Sequence, residues 1–428
     1  MASQQSPSIY VELLANIRQL SVAVSLPSPA GSHTRGLITP DGATLQLEHA
    51  GAQTSFALPG RVQTRGAAAA TATALPAPPP ASRVISWRLP LAVDASALSS
   101  SPPPRSPHDE PVPWTAPDLA PGSAVACRAC AAPLVPPGRA REWKDLPSEN
   151  WAEMMDFWHC HKPTDHERRG GGEHDHLATR RGYGANSSIA AQPGVGMVDL
   201  TSFLFSESDC TGLEFSPSPS RGAGSDAASS AALAGGPDPP PRMLHVFCAG
   251  CGAHVGFFNV AIASVVLLKW QVSCQTASPS SAAAPSSSEC LAAALTATLS
   301  RSGSSKSVVV PTFPPSSSSS SSPALHLWIL NSHIVYASSL RRGGAARPAI
   351  KLLYREVAQE EADAMLESMT SDVQEVNAPA EAIAAAAGEL RASSGLLPPG
   401  ERALKEWNVG LLDKWDAGGG DGGGRERV

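Results

Sequence analysis

Two Cys-x-x-Cys pairs constrain the fold of this chain more than any other feature of its sequence. They are Cys127-Arg-Ala-Cys130 and Cys248-Ala-Gly-Cys251, and each is followed by a small residue and then by the start of an apolar strand. Two thiolates at positions i and i+3 converge on one ion while backbone N–H groups of the turn point at the sulfur atoms. Gly252 suits the positive φ that such a turn often needs after its second cysteine. We therefore predict one closed, tetrahedral, structural Zn²⁺ site with Cys127, Cys130, Cys248 and Cys251 as its ligands.

The two pairs lie far apart in the chain, with 117 residues between Cys130 and Cys248. Closing such a loop costs on the order of 4 kcal/mol plus a constant. Structural zinc supplies roughly 10 to 16 kcal/mol, so the separation does not exclude a shared site. Two other interpretations stay open: a redox dithiol, which requires a Cys-x-x-Cys at a helix N-terminus after a strand, and reduced cysteines that merely pack. As a lesser alternative, His245 or His254 could replace one thiolate.

The composition divides the chain into apolar segments and low-complexity stretches. Of its 428 residues, 40 are Pro and 36 are Gly, and Pro-, Ala- and Ser-rich runs have the composition of disordered linkers. Most apolar segments are short and rich in β-branched residues, and segments near the C-terminus have helical periodicity. We predict an α+β fold, mostly antiparallel β with a few helices, clamped by zinc and cut by several long disordered insertions. The predicted regions are an N-terminal β region (1–98), a Pro-rich linker (99–122), a zinc-knuckle and tryptophan-helix region (123–275) with a disordered insert (216–242), a Ser-rich linker (276–323) and a C-terminal β/α region (324–416), together one composite domain.

The charge balance excludes several classes of partner. The net charge is −6, with 32 basic and 38 acidic residues, so the sequence predicts no direct nucleic-acid binding and no membrane binding. The most apolar run, 257–268, is shorter than the roughly 20 residues of a membrane-spanning helix. The N-terminus lacks the basic region of a secretory signal, which indicates the cytoplasm, the nucleus or both. Cysteines in such a reducing compartment are more typical of metal ligands than of disulfides.

Residues 146–163 form the most informative segment outside the cysteine pairs. A predicted helix places Trp151 and Trp158 on one face, which is either core or a binding face, and brings His159, Cys160 and His161 to its C-terminal end. Successive side chains on a helix are about 100° apart, so these three cannot all ligate one ion. One of them could reach a metal held by a partner chain; the alternative is a structural Cys-His pair at a helix end. We predict Trp151, Trp158, His159, Cys160 and His161 as partner-binding residues.

This tryptophan segment, together with both cysteine pairs, resembles the HECT-like family of proteins that bind ubiquitin-conjugating enzymes. The resemblance extends to four further segments: Leu267-Leu-Lys-Trp-Gln-Val, Leu327-Trp-Ile-Leu-Asn, Ala349-Ile-Lys-Leu-Leu-Tyr-Arg-Glu-Val and Glu406-Trp-Asn-Val-Gly-Leu-Leu. It implies binding to a ubiquitin-conjugating enzyme and a ubiquitin-protein ligase activity. It also implies an association with the mRNA 3′-end cleavage and polyadenylation machinery, in which the Trp-His-Cys-His segment would engage the metal-dependent endonuclease.

The chain departs from a HECT ligase in one respect that matters for its chemistry. A HECT ligase passes ubiquitin through a cysteine thioester near its C-terminus, but here no cysteine follows Cys290. Two knuckles also supply too few ligands for the paired zinc sites of a RING domain. We therefore assign no catalytic residue and leave enzymatic activity open. The leading function is a ubiquitin-ligase-like adaptor that binds a ubiquitin-conjugating enzyme and promotes ubiquitin transfer. The alternative is a non-catalytic regulator or assembly factor of the 3′-end-processing endonuclease.

Overall fold

The structure is a computed structural model that describes nine stretches of the chain. These are residues 6–64, 71–92, 112–146, 190–219, 243–277, 283–312, 324–341, 343–368 and 370–416. The described residues form 23 strands and three α-helices, and all but two of the strand pairings are antiparallel. The prediction of an α+β fold that is mostly antiparallel β is confirmed.

The strands follow one another with short 3₁₀ turns between some of them. In chain order the strands are β1 (Ser8–Leu14), β2 (Gln19–Ser25), β3 (Arg35–Ile38), β4 (Thr44–His49), β5 (Ala52–Ala57), β6 (Thr73–Ala74), β7 (Val84–Pro90), β8 (Val125–Cys127), β9 (Pro133–Val135), β10 (Glu142–Asp145), β11 (Val195–Val198), β12 (Ser202–Ser206), β13 (Leu213–Ser216), β14 (Met243–Cys248), β15 (His254–Asn259), β16 (Ser264–Leu268), β17 (Val272–Cys274), β18 (Lys306–Pro311), β19 (Ala324–Ser338), β20 (Arg347–Val357), β21 (Gln374–Ala378), β22 (Ala403–Leu404) and β23 (Trp407–Asp413). The α-helices are α1 (Ser287–Ser302), α2 (Gln359–Glu367) and α3 (Ala380–Ser394). The 3₁₀ turns are Ala15–Ile17, Ala116–Asp118, Glu207–Asp209, Val260–Ile262, Lys269–Gln271 and Pro399–Glu401.

The first of two compact units combines both ends of the chain, Met1–Pro111 and Leu291–Val428. Its nine-stranded sheet runs β22-β23-β20-β19-β1-β2-β7, and β18 joins it beside β19 with β21 on its far side. The N-terminal β1 pairs antiparallel with β19, so that Tyr10 lies opposite Ser338. This pairing is why the unit is discontinuous in sequence, because residues from the two ends of the chain share one hydrogen-bonded ladder.

A four-stranded sheet, β5-β4-β3-β6, packs against one part of the large sheet in this unit. Strand β7 alternates exposed and buried residues along its length, as a strand with one face on a core should. Its inward residues meet inward residues of β1, β2, β4 and β5. The centre of this core is formed by Ile9, Val11, Leu20, Val22, Val24, Leu45, Leu47, Ile85, Trp87 and Leu89.

The second unit, Val112–Cys290, holds both Cys-x-x-Cys pairs. It contains a seven-stranded sheet, β10-β11-β12-β16-β15-β14-β13, and a three-stranded sheet, β17-β8-β9. Aromatic side chains fill its interior: Trp114 stacks on Phe203 at a centroid distance of 6.0 Å, and Trp143 lies 5.4 Å from the same ring. Large aromatic rings bury enough apolar area to give this strand-rich unit a core.

Two stretches that composition predicts to be linker are structured instead. The predicted Ser-rich linker 276–323 contains α1 and β18, and Ser286 and Glu289 form a reciprocal cap at the start of α1. Within the predicted Pro-rich linker 99–122, Trp114 is buried. Both predictions were wrong for the described parts because a few capping or aromatic residues offset a biased composition. The remaining predicted insertions, including most of 216–242, lie outside the described residues.

The boundaries of the two compact units fall at Pro111 and Cys290. The cause of this division is the pairing of β1 with β19, which joins the predicted N-terminal and C-terminal regions and sets the middle of the chain apart. That the chain forms one composite domain stays a prediction. Among the helices of the described residues, none has the length and apolar character that a membrane-spanning helix requires.

Lys269 is fully buried in the second unit, next to the strand that ends at Leu268. Its Nζ donates hydrogen bonds to the carbonyl oxygen of Pro113 at 2.5 Å and to that of Leu200 at 3.3 Å, and it lies 5.6 Å from the centroid of the Phe203 ring. Burial lowers the pKa of Lys269 from 10.5 to about 8. The lysine thus ties two loops to the sheet, at the cost of burying a charge at neutral pH.

The depressed pKa of Lys269 predicts a specific pH dependence of stability. Below about pH 8 the ammonium is charged in both the folded and the unfolded state, so the full burial cost is present. Between about pH 8 and pH 10.5 the folded state loses the proton first and the cost disappears. Relative to Lys269→Met, the wild type should therefore gain roughly 3 kcal/mol of unfolding free energy across this window. Denaturant titrations of both proteins at several pH values test this; a constant difference would show that Lys269 stays protonated.

Candidate metal centre

The first Cys-x-x-Cys pair occupies the turn between β8 and β9. The N–H of Cys127 donates to the carbonyl oxygen of Ala132, and the N–H of Ala131 donates back to the carbonyl oxygen of Cys127, both at 2.8 Å. Ala131 has a φ of 60°, in the left-handed region that glycine normally occupies. Backbone N–H groups of Ala129 and Cys130 point at the sulfur of Cys127. This is the predicted knuckle geometry.

The second pair repeats this geometry in the turn between β14 and β15. The N–H of Cys248 donates to the carbonyl oxygen of Ala253, and the N–H of Gly252 donates to that of Cys248, again at 2.8 Å. Gly252 has a φ of 75°, as the sequence predicted for the residue after the second cysteine. The N–H of Ala253 donates to the sulfur of Cys251. The two turns are therefore equivalent in backbone conformation.

The structure brings all four cysteines together although they come from different sheets. The Sγ atoms of Cys127 and Cys251 lie 3.7 Å apart, and those of Cys130 and Cys248 lie 3.6 Å apart. All four sulfur atoms lie within 4.8 Å of one another, and this group could hold a metal ion. One cysteine of each pair is buried and the other is exposed. The cluster thus joins a hairpin of the three-stranded sheet to a hairpin of the seven-stranded sheet.

These distances fit a tetrahedral ion better than they fit the other interpretations. Four thiolates at about 2.3 Å from a metal lie about 3.8 Å from one another, close to the observed separations. Both pairs occupy hairpin turns, so neither has the helix N-terminus that the redox interpretation requires. Exposure of Cys130 and Cys251 does not favour simple packing. His245 and His254 are not part of the group; their Nδ1 and Nε2 atoms lie 3.2 Å from each other.

A bound cation would change the protonation of the cluster. Burial raises the pKa of the Cys127 thiol to about 12, whereas the N–H of Ala253 lowers the pKa of Cys251. A divalent ion reverses the effect of burial because it stabilises thiolates directly. The amide groups that point at the sulfur atoms would then donate to anions, as outer-shell groups do in metal sites.

Arg128, between the first two cysteines, anchors its knuckle to the rest of the second unit. Its backbone N–H donates to the carbonyl oxygen of Gln271 at 3.0 Å. Its Nη1 donates to the carbonyl oxygens of Trp270 at 3.1 Å and Pro285 at 2.9 Å. Sequence reasoning missed this residue because an arginine inside a Cys-x-x-Cys turn gives no sign of which carbonyl groups it will meet.

Comparison with known proteins identifies the family. Residues 12–409 match the family model described as HECT-like ubiquitin-conjugating enzyme (E2)-binding. The chain belongs to this HECT-like E2-binding family. The match spans nearly the whole chain, so it includes both knuckles and both units, and it supports binding to a ubiquitin-conjugating enzyme.

Two curated proteins are similar to parts of this HECT-like E2-binding protein. An uncharacterized protein of Schizosaccharomyces pombe is 44% identical over 85 residues, which are 18% of this chain and 25% of the relative. An uncharacterized protein of Saccharomyces cerevisiae is 38% identical over 52 residues, 12% of this chain and 15% of the relative. The matched segments therefore span a quarter or less of these relatives. No solved structure matches the chain.

The predicted partner-binding residues of this family member lie outside the described part of the chain. These residues are Trp151, Trp158, His159, Cys160 and His161. Their assignment remains a prediction. Of the described cysteines outside the cluster, Cys290 lies in α1 and is fully buried, not in a linker as the sequence predicted.

The two knuckles have the same left-handed backbone conformation after the second cysteine, but the residue there is Ala131 in one and Gly252 in the other. Exchanging alanine and glycine at these positions tests this conformation. Ala131 is exposed and holds a left-handed conformation that costs an L-residue about 1 kcal/mol, so Ala131→Gly should raise the unfolding free energy by about 0.5 to 1 kcal/mol. Gly252→Ala should lower it by about 1 kcal/mol or more. Chemical denaturation measures both changes. Equal stability of the three proteins would mean that the two turns do not share this backbone.

Proposed function

We propose that this protein binds a ubiquitin-conjugating enzyme and promotes ubiquitin transfer from it without forming a thioester of its own. The family match over residues 12–409 carries the proposal, because the matched family is described by its binding to this class of enzyme. The bound enzyme already holds ubiquitin as a thioester. A protein that positions this thioester accelerates transfer through proximity and orientation.

The environments of the described cysteines support transfer without a second thioester. A cysteine that accepts ubiquitin needs an accessible thiolate. Burial instead raises the pKa of Cys210, Cys274 and Cys290 to about 12 each. The other four described cysteines form the knuckle cluster.

We further propose that the ion of the knuckle cluster is Zn²⁺ and that its role is structural. Four cysteines leave no open coordination position, and closed four-sulfur sites are typical of structural zinc. When bound, zinc would hold Cys127, Cys130, Cys248 and Cys251 as thiolates and so fix the two hairpins to each other. Reduced thiolate ligands suit the reducing environment of the cytoplasm or the nucleus, where we place the protein.

The zinc proposal predicts one zinc per chain after purification without chelators. The double variant Cys130→Ser/Cys248→Ser removes one ligand from each hairpin, so it should lose the ion and several kcal/mol of stability. Cys210→Ser, outside the cluster, is the matched control and should keep the full zinc content. Elemental analysis with thermal melting tests both. A full complement of zinc in the double variant would contradict the assignment.

The proposed role in ubiquitin transfer predicts that this protein accelerates the discharge of a charged conjugating enzyme. When a ubiquitin-charged conjugating enzyme is mixed with this protein and free lysine, its thioester should disappear several-fold faster than without the protein. No reductant-sensitive ubiquitin adduct should form on the chain, since the described thiols outside the cluster are protonated. The wild type and Cys160→Ser should behave alike on denaturing gels with and without reductant. An adduct lost in Cys160→Ser would instead make Cys160 a thioester residue.

A second candidate function rests on the family resemblance, and the cysteine environments are compatible with it. A protein without a suitable thiol among its described residues could act as a non-catalytic regulator or assembly factor of the mRNA 3′-end-processing endonuclease, docking through Trp151, Trp158 and His159 to His161. Unchanged discharge of the charged conjugating enzyme, together with a stable complex with the purified nuclease, would favour this candidate. Stimulated discharge would favour the first.

A further inference from the structure

We propose that a conjugating enzyme binds the first unit at the tryptophan surface, which consists of Trp328, Leu330, Leu404 and Trp407. This inference rests on the proposed function and deepens it by locating the contact. All four residues lie within the segment that matches the E2-binding family model. Trp328 and Trp407 also belong to two of the four apolar segments that resembled the family in sequence.

The two tryptophan rings of this surface are in contact, and each has an exposed leucine nearby, along its own strand or on the paired strand. Trp328 and Leu330 are two residues apart on β19 and are 36% and 46% exposed. Leu404 is 53% exposed and lies directly opposite Trp407 in the pairing of β22 with β23. The indole rings of Trp328 and Trp407 meet at a centroid distance of 6.3 Å and an angle of 73°. Large exposed apolar groups gathered in this way mark interaction sites, whereas isolated ones do not.

Two cations hold the indole rings in place. Lys306 Nζ lies 5.4 Å from the centroid of the Trp328 ring, and the Arg355 guanidinium lies 5.0 Å from that of Trp407. Such cation–π contacts contribute to the order of both rings. Rigid aromatic anchors lose little conformational entropy on binding, which is one reason why tryptophan is frequent among residues that dominate binding energy.

His326 lies beneath this surface. It is buried, it packs edge-on against Trp407 at 4.7 Å, and among the described residues neither of its ring nitrogens has a hydrogen-bond partner. Arg355 Nε is buried without a partner as well. Because these atoms are covered in this structure, a partner could reach them only if the covering side chains moved, so the proposal does not depend on them.

The charges at the rim define the chemistry of the partner. Asp372 and Glu361 pair with Lys306 and Arg355, but the carboxylates are 66% and 50% exposed and the cations only 33% and 31%. Helix α2 adds further exposed acidic residues and contains no lysine or arginine. A partner therefore meets an apolar centre whose rim is acidic on the side of α2 and carries the exposed Lys405 next to Leu404. The complementary surface is apolar in its centre and basic around it.

The acidic rim also decides between a conjugating enzyme and a second copy of this chain. In a two-fold symmetric dimer each surface faces itself, so the two acidic rims would oppose each other. Like charges held together at an interface are unfavourable. We therefore commit to a conjugating enzyme whose contact face carries basic residues around an apolar centre.

The test uses the full-length protein and a panel of purified ubiquitin-conjugating enzymes in a surface-binding assay. Trp328→Ala removes an anchor, and Leu330→Arg adds a positive charge to the centre of the surface. Leu340→Arg is the matched control, because Leu340 is also exposed, at 55% against 46% for Leu330, and lies beyond the end of β19. For the enzyme that binds best, Trp328→Ala and Leu330→Arg should each weaken binding at least tenfold, while Leu340→Arg binds like the wild type.

The rim is tested separately with Glu361→Gln/Asp372→Asn, which removes two exposed charges. This variant should associate several-fold more slowly than the wild type, and its association rate should depend less on salt. Melting curves of all variants must match that of the wild type; if Trp328→Ala melts early, Leu330→Arg and the rim variant decide.

Each failure has a distinct meaning. Wild-type binding that Trp328→Ala and Leu330→Arg leave unchanged would overturn the tryptophan surface but not the proposed function. A wild type that binds no enzyme of the panel would overturn both. A wild-type dimer in light scattering that Leu330→Arg dissociates would show that a second copy of the chain occupies the surface instead.

Discussion

Four sulfur atoms lie together where two hairpins of different sheets meet, and we propose that the second unit depends on this contact. Strands β8, β9 and β17 are only three residues long each, too short to form an independently stable sheet. The hairpin that carries Cys127 and Cys130 is held by the sulfur cluster on one side and by Arg128 on the other. A tetrahedral ion would convert these neighbouring thiols into a fixed link across 118 positions of sequence.

The site that holds the ion and the surface that binds a partner are separate in this account. The cluster belongs to the second unit, whereas the tryptophan surface belongs to β19, β22 and β23 of the first. We therefore propose a structural role for the knuckles and assign partner binding to the tryptophan surface. The matched family is described by its binding to ubiquitin-conjugating enzymes. The proposed tryptophan surface, with its apolar centre and exposed carboxylates, offers a physical basis for such binding.

Some of the fold and site follows from local sequence, and some does not. The spacing of the cysteines and the glycine at position 252 are sufficient to predict two knuckles, because each knuckle is one turn whose geometry depends on adjacent residues. Helix α1 was not predicted, because the helix lies in a stretch whose serine content resembles that of a linker. Ser286 and Glu289, three residues apart, are nevertheless a recognisable helix cap. The exposure of Trp328 depends on which strands cover β19. The side-chain hydrogen bonds of Arg128 depend on carbonyl groups more than 140 positions away in sequence. Neither is encoded locally.

X-ray absorption spectroscopy of the purified protein at the zinc edge tests the central claim most directly. The account predicts a single shell of four sulfur atoms at about 2.3 Å, because Cys127, Cys130, Cys248 and Cys251 are the only members of the cluster in the described part of the chain. A shell that contains nitrogen or oxygen, or fewer than four sulfur atoms, would contradict it. In that case the two hairpins would not share one closed site.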